Sequence, residues 1–134
     1  MLFSSPSVIQ VKVVPATIVF TDDSNVSSGT SSYTFTSQSF GAADASRIIV
    51  VGVGSEYIPS PAFGGTASVT IGGVTATEIA STQQVDSASG SQGSMWYAAV
   101  PTGTTGSVAI TLDGATLGYF YVAVWALYRP LIPI

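Results

Sequence analysis

The chain has 134 residues and contains neither cysteine nor histidine. The first absence excludes a disulfide framework and a thiolate metal site. The second removes the commonest general base and the commonest zinc ligand. Charge is scarce as well: Asp, Glu, Lys and Arg make up 7% of the chain, against about 25% in an ordinary globular domain. The cations are Lys12, Arg47 and Arg129, and the net charge is −4. Neutralising a phosphate backbone takes several clustered Lys or Arg, so no nucleic-acid partner is expected. "MLFSSPSVIQVKVV" has no basic n-region and no long apolar h-region, so a secretory signal is not expected either. The longest apolar run near the end, Leu117–Tyr128, has 12 residues. A spanning helix needs about twenty, so no membrane partner is expected.

What replaces charge is Ser, Thr and Gly beside a hydrophobic content of 46%. Disordered chains combine low hydrophobicity with high charge, the opposite profile. A single domain of this length buries roughly two-thirds of its unfolded surface, enough for a core without staples. A surface of hydroxyls and amides does little to keep copies apart, which favours packing against other subunits.

Helical periodicity is nearly absent, whereas short β-rich runs recur between turn residues at spacings that suit a sandwich or barrel. "VIQVKVV" (Val8–Val14) alternates imperfectly and stops at Pro15. "TIVF" (Thr17–Phe20) follows, then a polar loop is expected from Thr21 to Ser32. "YTFTSQSF" places Tyr33 and Phe35 on one face. "SRIIVVGVG" (Ser46–Gly54) is a continuous apolar run of the kind covered on both faces. "SEYIPSPAFGG" (Ser55–Gly65) reads as a loop. Gly72-Gly73, between two alternating arms, predicts a two-residue hairpin turn at positive φ. "TQQVDSASGSQGS" (Thr82–Ser94) reads as the most polar loop. "MWYAAV", "SVAITL" and "LGYFYVAVWALY" are further strands, divided by turns at "PTGTTG" and at Asp113-Gly114. In the last strand Tyr119, Tyr121, Ala123, Trp125 and Leu127 alternate with Phe120, Val122, Val124, Ala126 and Tyr128. Both sets are apolar, so a central strand covered on both sides is expected. Pro130 and Pro133 then forbid further pairing, and "RPLIPI" leaves as an extended tail.

The expected fold class is therefore all-β: one sandwich of about 7–9 antiparallel strands, jelly-roll-like or immunoglobulin-like, with extended terminal arms. The division is an arm and polar loop over 1–30, the β-sandwich over 31–128 and a tail over 129–134.

Chemistry-bearing groups are few. The carboxylates Asp22, Asp23, Asp44, Glu56, Glu78, Asp86 and Asp113 sit mostly beside Gly, Ser or Asn, where turn and Asx roles are common. No catalytic residue, metal ligand or cofactor is assigned, and no enzyme is expected. "TDDSN" (Thr21–Asn25) is the best candidate for Ca²⁺, weighed against a solvated polar loop. The glycines of "GVGSEY" and "FGGTAS" lack the following helix that a phosphate loop requires. Trp96-Tyr97 and Tyr119–Trp125 could stack sugars, but they lie in strands that read as core. Tyr57 and Phe63, on a Pro/Gly loop, are the candidates for exposed contact.

"RIIVVGV" (Arg47–Val53), "VTIGGVTAT" (Val69–Thr77), "VPTGTTGSVAIT" (Val100–Thr111) and the closing strand Leu117–Tyr128 resemble segments of small virion proteins of tailed bacteriophages. The resemblance spans about Tyr33 to Tyr128 and is one of strands and turns. It implies a capsid decoration (cement) protein, made in the host bacterial cytoplasm and placed on the capsid surface of the virion. Its implied partners are the major capsid protein and copies of itself, in a homo-oligomer. The interface would use Leu2, Phe3, Val8, Ile9, Val11, Val13, Arg129, Leu131, Ile132 and Ile134, since extended arms can add strands to exposed edges. The alternative is a receptor- or glycan-binding module of a tail fibre or spike, with contacts on Ser55–Gly65 and Thr82–Ser94.

Overall fold

The computed structural model describes residues 15–28, 30–57, 65–85, 90–113 and 118–129. Nine strands, and no helix, occupy these residues. They are β1 (Thr17–Ser28), β2 (Ser32–Ser39), β3 (Ile48–Tyr57), β4 (Thr66–Ile71), β5 (Val74–Thr75), β6 (Thr77–Val85), β7 (Gly90–Ala99), β8 (Thr105–Leu112) and β9 (Gly118–Tyr128). A five-stranded sheet has the order β1-β9-β3-β7-β6, and a four-stranded sheet the order β2-β8-β4-β5. Every pairing is antiparallel. The two sheets pack face to face as a β-sandwich.

The pairing has a simple rule. β4 meets β5, β3 meets β7, β2 meets β8 and β1 meets β9. The chain is thus one long hairpin, rolled so that successive arms fall alternately into the two sheets, with β6 added beside β7. That is the jelly-roll order, not the immunoglobulin one. The tip of the hairpin is Gly72-Gly73, with φ of 58° and 80°. Two positive values define the turn whose twist matches the strands, and glycine adopts them without steric cost.

The core lies between the sheets. Ile49, Val51, Val53, Trp96, Ala98, Phe120, Val122, Val124 and Ala126 come from one sheet. Phe35, Val69, Ile71, Val108, Ile110 and Leu112 come from the other. Tyr33 and Phe35 share a face as expected, with rings edge to face at 4.8 Å.

Arg47 is the largest fully buried side chain. Its Nε donates to the Val100 carbonyl at 2.8 Å. One terminal nitrogen reaches the carbonyls of Phe40, Gly41 and Ala42 at 2.8–3.1 Å, and the other reaches Thr102 and Gly103 at 2.7–2.8 Å. Both segments cross between the sheets, β2 to β3 and β7 to β8. The guanidinium therefore clasps two crossings at once, its charge met by oriented carbonyl dipoles. Leaving such carbonyls buried without a donor is the costly alternative.

Several sequence expectations need correction. The polar loop placed at Thr21–Ser32 is strand through Ser28, so residues 17–28, assigned to the arm and loop, form the edge of the five-stranded sheet. The polar loop at Thr82–Ser94 is largely the β6–β7 ladder, with Gln83 opposite Gln92 and Val85 opposite Gly90. The loop at Ser55–Gly65 begins later, because β3 runs through Tyr57. In each case the ladder satisfies the backbone, so the strand needs few apolar side chains of its own. β9 is central, but the described residues cover only one of its faces: Tyr119 and Tyr121 remain 45% and 44% exposed. The Val8–Val14 segment and the tail beyond Arg129 lie outside the described residues.

Candidate functional site

Directly opposite residues in an antiparallel ladder share a face, so the register reads the outer face of the five-stranded sheet row by row. At one end Ile18, Leu127 and Ile48 lie side by side, followed by Phe20, Trp125, Val50 and Tyr97. The next row is Asp23, Ala123, Gly52, Met95 and Ala80. Then come Asn25, Tyr121, Gly54, Gly93 and Thr82. No second layer covers these rows among the described residues. Ile18 is 69% and Phe20 56% exposed, with Phe20 edge-on to the half-buried Trp125 at 5.9 Å.

Two features stand out. The first is an apolar corner formed by Ile18, Phe20, Trp125, Leu127, Ile48 and Val50. β1 has no neighbour on its outer side among the described residues, and an apolar edge strand is a template for pairing. The chain enters β1 at Thr17 and leaves β9 at Tyr128, which are ladder partners. Residues 1–14 and 130–134 therefore connect at this same corner.

The second is an open trough of about 610 Å³ across the middle rows. Its floor is Gly52, Gly54, Gly93 and Ala123, and Tyr121 and Met95 rise from it. The Trp125 indole leans over Gly52, whose added Cβ would lie 3.2 Å from Cζ3. Tyr121 leans over Gly54 in the same way, at 3.5 Å from Cβ. Tyr119 and Tyr121 hold nearly parallel rings with centroids 6.4 Å apart. Glycine on alternate β3 positions is what lets rings lie down on the sheet.

The two carboxylates of "TDDSN" do not converge. Asp22 faces inward, accepting the Ser39 N–H at 2.7 Å and the Asp23 N–H at 2.9 Å. Asp23 faces outward beside the trough. The loop expected at Thr21–Asn25 is strand, and alternation in β1 sends the two groups to opposite faces. Among the described residues no three His, Cys, Asp or Glu gather as a metal site. No helix there is long and apolar enough to cross a membrane. Asp44, in the crossing before β3, has its carboxyl held below the ordinary value of 3.8. Hydrogen bonds from the hydroxyl and N–H of Ser46 are the main cause.

Of the interface residues expected from the sequence, Arg129 is described. It is exposed, and its carbonyl accepts a hydrogen bond from the Ser46 hydroxyl. Leu2, Phe3, Val8, Ile9, Val11, Val13, Leu131, Ile132 and Ile134 lie outside the described residues, as does Phe63. Tyr57 is placed only by its main chain, opposite Gly90. Trp96 is buried as expected, its Nε1 donating to Ser94 at 2.8 Å. Tyr97, Tyr119 and Tyr121 are not core, although they read as core. The missed signal was the pairing of Gly52 and Gly54 on one face of β3 with aromatics on one face of β9. Comparison with family models, with curated proteins and with solved structures gives no match.

Proposed function

We propose that this chain is a non-enzymatic structural virion protein that associates with copies of itself and with the capsid shell. The observation that carries this reading is the apolar corner at Ile18, Phe20, Trp125 and Leu127. Contiguous exposed apolar surface of this kind marks interaction sites in soluble proteins. Three things add support. The outer edge of β1, unpaired among the described residues, suits an extended segment. The apolar segments 1–14 and 130–134 join the sandwich here and could lie across a neighbour. The resemblance of Arg47–Val53, Val69–Thr77 and Val100–Thr111 to phage virion proteins points the same way.

The test is light scattering on the purified chain, alone and mixed with capsid shells of tailed bacteriophages, followed by co-sedimentation. The wild-type chain is expected to oligomerise or to sediment with the shells. The double variant Ile18→Glu, Phe20→Glu should remain folded and lose both properties, since two exposed residues carry little of the core. A wild-type chain that stays monomeric and ignores the shells would sink this reading.

A further inference from the structure

We propose that the trough on the outer sheet face is a binding site for a neutral oligosaccharide. The inference stands apart from the virion reading, because it rests on the middle rows of the sheet and not on the apolar corner.

The chemistry follows from what lines the trough. A pyranose has two kinds of surface: flat patches of C–H bonds and a rim of hydroxyls. The Tyr121 ring offers an apolar face to the first, and its phenol can reach the second. Gly54 lets the Tyr121 ring lie low on the sheet, and Gly93 beside it carries no Cβ, so relief stays low enough for a flat sugar ring to settle there. About 610 Å³ falls within the range of small-molecule sites, which is roughly 300–1,000 Å³.

Polar groups stand on both rims. Asp23 and Asn25 are two apart on β1 and face the same way, opposite Ala123 and Tyr121. Both are exposed, and no described side chain bonds to the Asp23 carboxylate or the Asn25 amide. Together they provide acceptors and a donor for neighbouring sugar hydroxyls. Thr82 supplies a hydroxyl on the opposite rim. Convergent polar groups around an apolar floor separate a small-ligand site from a plain docking face.

Charge selects among sugars. Among the described residues Asp23 is the trough's only charged group, and the chain carries a net −4. A sialylated, uronic or phosphorylated glycan would meet repulsion, with no cation among the described lining residues to offset it. An apolar ligand would leave the Asp23 carboxylate desolvated without a partner.

The experiment is a titration of the full ¹⁵N-labelled chain, followed by NMR, with maltotriose, cellotriose and chitotriose, and with sialyllactose as the acidic comparison. At least one neutral trisaccharide is expected to give saturable shifts at the Gly52, Gly54 and Gly93 amides, with a Kd of about 1 mM. Tyr121→Ala should weaken binding by about tenfold or more, whereas Tyr121→Phe should keep most of it. Gly93→Val fills the floor without a clash, since its Cβ would meet only the Thr82 methyl at 3.9 Å. It should fold as wild type and lose binding. No response at those amides to any of the three neutral sugars would overturn the proposal. So would shifts that survive both Tyr121→Ala and Gly93→Val, or an equal response to sialyllactose.

Discussion

The outer faces of the two sheets are built differently. On the four-stranded sheet, Ser32, Thr34, Ser68, Thr70 and Thr111 face outward while Phe35, Val69, Ile71, Val108 and Ile110 face the core. That is the apolar-in, polar-out alternation of a sheet with one wet side. The five-stranded sheet breaks it. Its inner face carries Phe120, Val122, Val124 and Ala126, all buried, yet its outer face carries Ile18, Phe20, Tyr97, Met95, Tyr119 and Tyr121, all more than a third exposed. A hydroxyl face needs nothing further. An aromatic face that the described residues leave open to water gains from being covered, and that difference is what both proposals build on.

The sharpest way to break that comparison is to place the same charge on neighbouring residues of β9. Val124→Lys buries an ammonium among Val51 and Trp96 and should cost several kcal/mol, enough to prevent folding. Ala123→Lys faces outward, opposite Asp23, and should change stability by less than about 1 kcal/mol. Urea melts of both variants would decide it; equal losses would mean that the outer face is covered after all.

A smaller effect is expected on β1. Asp22 accepts two backbone N–H groups, one from the opposite sheet, so Asp22→Ala should cost about 1–2 kcal/mol. Asp23→Ala should be close to neutral. Reversal of this order would contradict the inward and outward placement of the pair.

The smallest effect lies on neither face. The Asp44 carboxyl is more acidic in the folded chain than in the unfolded one. Its contribution is complete above the ordinary value of 3.8 and is lost as pH falls through the lower folded value. Because the group is exposed, the urea midpoint should decline only slightly more in the wild type than in Asp44→Asn as pH drops below 3.8. A wild type and variant with identical acid limbs would remove the role given to Ser46.

Much of this architecture is legible in the sequence, and what is not has physical causes. The Gly72-Gly73 turn is local chemistry, visible without knowing the partner strands. β3 and β9 are legible as strands because their apolar runs are too short and too β-branched for helices. Their outer faces are not, because period-two alternation reports side chains and cannot tell whether a second layer lies above them. The β1 and β6–β7 ladders are hidden for the opposite reason. Ser24 and Asn25 are held by backbone pairing with Val122 and Tyr121, far away in the chain, whereas Gln83 and Gln92 pair with each other across a short hairpin whose polar side chains carry no apolar alternation. The role of Arg47 is not legible, because the carbonyls that surround it belong to loops up to 56 positions distant.

The rolled hairpin also dictates a schedule. The tip turn and the β6–β7 hairpin can close from near neighbours; β3, β2 and β1 must wait for partners made later, and β1 must wait for β9, joining Thr17 to Tyr128. Closing distant segments before contacts reward it makes such topologies slow, on the order of milliseconds to seconds. On the ribosome, Ile18, Val19 and Phe20 emerge early and stay unpaired until the last strand is synthesised. With so little charge to hold nascent copies apart, that interval is when this chain is most exposed to pairing with the wrong partner.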